Sequence, residues 1–177
     1  MLLNAKKMAF LGLLLAVTVL LIALSGIIEF NTLFLLGAAS FGVGIAVRES
    51  NLRYGAGFYL GAILLGLILA PNKFYCITFA AMGFYILVIE YSFDRLSNLK
   101  GNRNKVKLYW IIKYITFNVM YIPMILFLPK LIYQGEINSI IIVVMLMAGQ
   151  AVLFVYDMAY RYFQGYIWGR VRNKLTL

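Results

Sequence analysis

The sequence predicts an all-α integral membrane protein, a bundle of six transmembrane helices with both termini on the cytoplasmic side. Three observations carry that reading. The 177 residues are 64% hydrophobic and only 12% charged, with a mean hydropathy of +0.91, whereas soluble domains are about half apolar and about a quarter charged. The apolar residues gather into six segments on the scale of a bilayer crossing, about 20 residues each. The basic residues gather on alternate connectors, as cytoplasmic loops require. Disorder is excluded by the 16% aromatic content.

The first segment, 8–28, is too long for the apolar region of a signal peptide. No small-x-small cleavage site leads from it into polar sequence, so it is expected to span. Segments 32–47 and 54–70 are shorter and rich in glycine, while 74–93, 108–128 and 137–160 are long enough to cross outright. The stretch 94–107 is the only sizeable polar connector. It reads either as a basic loop against anionic lipid headgroups or as a docking surface for a partner. The tail, 161–177, interleaves aromatics with Arg and Lys and is expected to lie at the interface, aromatic side in the headgroups. The whole chain is one transmembrane domain.

Sixteen Lys and Arg against six Asp and Glu give +10. Thirteen of the sixteen fall on one side of this topology, Lys73 and Lys130 fall on the other, and Lys113 lies inside a helix. The charge therefore records orientation and contact with membrane lipids, and a nucleic-acid partner loses its support. The absence of histidine removes imidazole proton shuttling and His-ligated metal sites. The lone Cys76 has no CxxC context. No nucleotide loop, zinc-protease motif or nucleophile elbow occurs, so neither catalytic residues nor a cofactor are expected.

Polar residues inside a membrane protein lose free energy unless paired, so each is a candidate site. Toward the cytoplasmic end stand Glu90 and Asp94 on the fourth helix, Lys113 on the fifth, and Asp157 with Arg161 on the sixth. They read as a structural ion-pair clamp with Lys113 neutralising Glu90, or as a device coupled to a partner's motion. Near the midplane, Asn118 and Gln150 face each other across consecutive antiparallel helices and suit a hydrogen bond or the floor of a polar pocket. On the outer side, Glu29 and Asn31 occupy the first hairpin, and Asn72, Lys73 and Tyr75 the second. They read as ordinary turns or as the polar groups of an outward-facing pocket. Small residues recur at Ala5, Ala9, Gly12 and Ala16, a face suited either to internal packing or to a second membrane protein.

The opening LNAKKMAFLGLLLA resembles the start of the substrate-binding subunits (S components) of energy-coupling factor transporters, whose first helix carries an Ala-xxx-Ala motif matched by Ala5 and Ala9. The stretches GAGFYLGAILLGLILAPNKFYCITFAAMGFYILVIEYSFDRL, IKYITFNVMYI and QAVLFVYDMAYRYF are similar to uncharacterised Firmicutes-type membrane proteins of the same layout. The resemblance implies a non-enzymatic plasma-membrane subunit. It would bind a vitamin-like molecule from outside and work with a transmembrane coupling protein and cytoplasmic ATPases. It places Ala5, Ala9, Gly12 and Ala16 against the coupling protein. It places Glu29, Asn31, Asn72, Lys73, Tyr75, Asn118 and Gln150 around the substrate. The competing reading is a ligand-free scaffold of the cell envelope, resembling the rod-shape-determining type.

The orientation is directly measurable. A fluorescent protein fused after Leu177 is expected to fluoresce in intact cells, and alkaline phosphatase fused there is expected to stay inactive; the opposite pair of results reverses the topology.

Overall fold

A computed structural model of the chain describes residues 5–98, 104–127 and 138–175. Seven α-helices follow in order: α1 (Ala5–Ser25), α2 (Thr32–Glu49), α3 (Leu52–Leu69), α4 (Lys73–Asn98), α5 (Lys105–Phe127), α6 (Ser139–Tyr162) and α7 (Gly169–Leu175). A 3₁₀ turn, Glu29–Asn31, precedes α2, and a π-helical stretch, Phe163–Trp168, joins α6 to α7. There are no strands among the described residues. Among the described residues six helices are long and apolar enough to cross a membrane, the sixth running from Ser139 to Arg172.

Local chemistry sets the helix ends. Asn51 accepts a hydrogen bond from the Tyr54 amide (3.1 Å), and Asn138 accepts one from Ile141 (2.9 Å). Both thereby satisfy a donor that the first turn of a helix leaves without a partner. Pro71 follows the end of α3 and cannot continue it. Asn72 then accepts from the Phe74 amide at 3.0 Å and opens α4. At 26 residues, α4 is about 39 Å long and exceeds the roughly 30 Å hydrocarbon thickness.

The core is built around α2 and α4, the two most buried spans. α2 packs directly on α1, α3 and α4, and α4 also packs on α3 and α5. Ile22, Leu36, Val43, Phe79, Ile86 and Ile89 are fully buried at these contacts. α6 packs against α5 and reaches α2 and α4 through large side chains. The rings of Tyr156 and Tyr160 both tilt against Phe41, at 5.6 and 5.3 Å between centroids. Gly44 makes room for this, because a Cβ there would overlap the Tyr160 hydroxyl. Gly149 does the same for the Tyr121 ring.

One open alternative narrows at this level and one expectation changes. The small residues of α2 serve internal packing, whereas Ala5, Ala9, Gly12 and Ala16 are all exposed on α1, and a Cβ at Gly12 would meet nothing within 4 Å. The tail does not simply lie at an interface. Its helix continues from α6 and buries Trp168, whose indole donates to Glu49 (3.0 Å) and whose ring lies 5.6 Å from Phe10. An amphipathic tail pattern cannot distinguish headgroups from a buried carboxylate on another helix, since both accept an indole N–H.

The glycine contacts make a test. G149A is expected to lower stability by about 1–3 kcal/mol, the usual scale of overpacking. G57A, where a Cβ meets nothing within 4 Å, is expected to change it by less than about 0.5 kcal/mol. Thermal unfolding in mild detergent distinguishes the two.

Candidate functional site

The end of the bundle formed by the start of α1 and the ends of α2, α4 and α6 holds a buried polar layer. Arg48 grips Glu90 with two hydrogen bonds, Nε to Oε2 at 2.8 Å and Nη2 to Oε1 at 2.7 Å. Tyr160 donates to the same Oε1 at 2.6 Å, and Gln164 donates to the Tyr160 hydroxyl at 3.2 Å. Beside them Lys113 and Asp157 form an ion pair of 2.6 Å with side chains only 1% and 0% exposed. Tyr85 donates to Asp157 Oδ1 at 3.4 Å. Arg161 approaches Oδ2 at 3.1 Å, one helical turn on, without the alignment of a hydrogen bond. Tyr109 and Trp110 lie around the Lys113 ammonium at 4.1 and 5.0 Å from their ring centres and hold the cation from its apolar side.

The partners differ from the expected ones. Lys113 pairs with Asp157, not Glu90, because Arg48 at the end of α2 occupies both Glu90 oxygens. Asp94, one turn beyond Glu90, is exposed and makes no ion pair among the described residues. Buried Glu49 belongs to the layer and was not anticipated. Besides Trp168, Arg172 reaches its carboxylate at 3.1 Å, and Lys7 donates to its backbone carbonyl at 3.1 Å. The scarcity of carboxylates is the signal that could have found it, since Glu49 is one of six in the chain.

About midway along α5 and α6, Gln150 donates to Asn118 at 2.8 Å, and Asn118 donates to the Tyr114 carbonyl at 2.9 Å. The residues expected around an outward pocket do not meet. Asn31 is exposed, and Asn72 is used by its own turn. Lys73 is exposed and donates to the carbonyls of Leu67 and Ala70, the latter at 3.0 Å. Tyr75 packs its ring against the core, and the Glu29 side chain lies outside the described residues.

A cavity of about 240 Å³ lies elsewhere, between α4, α5 and α6, with Leu33 of α2 at its edge. Its floor is Tyr85 and Tyr156, whose hydroxyls point into the polar structure, Tyr85 to Asp157 and Tyr156 to Ser40 at 2.6 Å. From there it extends away from the charged layer, past Phe117, Met120 and Tyr121, to Thr78 and Met124. Neither Asn118 nor Gln150 lines it, although their neighbours Phe117 and Gly149 do. This cavity depends on which aromatic rings the helices turn inward, which a Tyr- and Met-rich helix pattern does not disclose.

Comparisons with protein-family models, with curated proteins and with solved structures return no match. Glu90 and Asp157 are held by cations and hydroxyls in separate clusters, an arrangement that fixes helices. Among the described residues no three His, Cys, Asp or Glu side chains gather as a metal group. The cavity, by contrast, offers space and an apolar wall to a small molecule.

D157N is expected to destabilise the bundle by about 3–5 kcal/mol, since it strips Lys113 of its counter-charge in an apolar surrounding. The double variant K113M/D157L is expected to recover most of that loss, because an apolar pair needs no compensation. R161A, at a mostly exposed cation, is expected to change stability by less than about 1 kcal/mol. Unfolding in detergent ranks the three.

Proposed function

We propose that the chain is a non-enzymatic, multi-pass membrane subunit that captures a small molecule, of the S-component type of energy-coupling factor importers, with both termini cytoplasmic. The observation that carries the reading is the cavity between α4, α5 and α6. From its floor at Tyr85 and Tyr156 it runs away from the charged layer toward Thr78 and Met124. With both termini cytoplasmic that end would face outside, the side from which such a subunit takes up its substrate. A second feature supports it. The exposed small residues Ala5, Ala9, Gly12 and Ala16 lie on α1, which packs on α2, α3 and α4 and contributes nothing to the cavity wall. Separate faces for ligand and partner suit a subunit that must hold a molecule while bound to a coupling protein with its ATPases.

One observation favours the scaffold reading instead. Asn72 and Lys73 are satisfied within their own turn and offer no converging polar mouth. A ligand-free scaffold needs nothing more of them.

Mass spectrometry of small molecules retained through gentle purification from the native membrane separates the two. Capture predicts one molecule carried in stoichiometric amount, together with ATPase and coupling subunits. The double variant A9L/G12L is expected to lose those subunits while its melting temperature and its small molecule stay unchanged. A protein that carries no molecule and brings down no ATPase overturns the capture reading in favour of the scaffold.

A further inference from the structure

The cavity states more about its occupant than its existence does. Its wall is carbon and ring face almost throughout. Every tyrosine hydroxyl that borders it is turned away and engaged. Tyr121 donates to the Met145 carbonyl at 2.8 Å, Tyr156 shares a hydrogen with Ser40 at 2.6 Å, and Tyr85 donates to Asp157 at 3.4 Å. A charged or strongly hydrated ligand would leave water there with nothing to replace it, at a loss of several kcal/mol.

The wall favours planar rings. Phe117 and Tyr121 stack at 4.9 Å between centroids, and Tyr85 and Tyr156 tilt against each other at 5.8 Å. Met82, Met120 and Met124 line the same cavity, and thioethers pack well on aromatic edges. Size is adequate too: an apolar cavity of about 150 Å³ stays dry and takes up benzene, and this one measures about 240 Å³.

The way in is also marked. Val152 lines the cavity and is 57% exposed, while Leu33, at the start of α2, borders its outer end. Val152 lies 13 residues into α6, about 20 Å from its start, a depth occupied by hydrocarbon in a spanning helix. The expected aqueous mouth residues Asn72 and Lys73 take no part in the wall.

We propose that this cavity binds an uncharged, aromatic-ring-bearing small molecule that reaches it sideways from the bilayer beside Val152, not a charged water-soluble one from the outer mouth. The proposal rests on the capture reading and narrows its substrate class.

The test uses the full chain in nanodiscs and two probes that share their rings, neutral N-phenyl-1-naphthylamine and its sulfonated counterpart 1-anilinonaphthalene-8-sulfonate, each corrected against empty nanodiscs. The neutral probe is expected to show a saturable one-to-one component, and the sulfonated probe one about tenfold weaker or absent. Ala81→Phe, which puts a ring into the cavity, is expected to weaken the neutral probe by about tenfold or more. Val152→Trp is expected to slow its uptake several-fold, and Lys73→Ala to leave the rate unchanged. The comparison of the two probes needs no variant and stands even if A81F fails to fold.

Equal or tighter binding of the sulfonated probe overturns the proposal, as does slowing by K73A instead of V152W. So does a phospholipid acyl chain that the neutral probe does not displace. A charged, water-soluble molecule carried through purification also overturns it while leaving the capture reading intact. If neither probe saturates and no molecule is carried, both fall together.

Discussion

A carboxylate inside an apolar helix bundle must either lose its charge or acquire a cation and enough hydrogen bonds to replace its water. Glu90 takes the second course, and much of the architecture follows from how it does so. Both oxygens are filled by the Arg48 guanidinium, and one also accepts from Tyr160. Arg48 is the penultimate residue of α2, so the end of α2 is locked against the C-terminal third of α4. Tyr160 comes from α6, and its ring must pass over α2, where only a glycine at position 44 leaves it room. The Lys113–Asp157 pair ties α5 to α6 beside it, and Tyr85 links that pair back to α4.

The same arrangement accounts for the space at the other end. Tyr156 and Tyr160 keep α6 about a side chain away from α2 and α4, and in the charged half that gap is filled by ion pairs and rings. Beyond Tyr85 and Tyr156 no charged side chain among the described residues lines the gap, and it stays open as the apolar cavity. The floor of the cavity is thus the roof of the charged layer, and two tyrosines belong to both. A ligand that pressed on Tyr85 or Tyr156 would act on the hydrogen bonds to Asp157 and Ser40, a direct physical link between the two halves of the bundle.

Legibility in the sequence differed from residue to residue. The helix count followed from hydropathy and length, since each span is a continuous apolar stretch. Asn118 and Gln150 could be paired because consecutive antiparallel helices bring equal depths together, and they do share a hydrogen bond. Asp157 and Arg161 are neighbours for the simpler reason of a four-residue spacing. Lys113 was assigned to Glu90 because both are charged, deep and on adjacent helices. The actual partner depends on the rotation of each helix about its axis, which depth does not encode. Arg48 counted only among the thirteen basic residues on one side and Glu49 carried no reading, although both anchor the buried layer.

What the sequence determined by itself was the apolar character, the secondary structure and the number of helices long and apolar enough to cross a membrane. These are sums over many residues, and each apolar side chain contributes to them independently of its neighbours. Which helix faces which was decided only in the tertiary structure. That choice turns on single residues at close contacts, such as Gly44 under Tyr160 or Gly149 beside Tyr121. It also turns on the requirement that every buried charge meet its partner at hydrogen-bond distance. The cavity belongs to this second category, being the space that remains once those contacts are made.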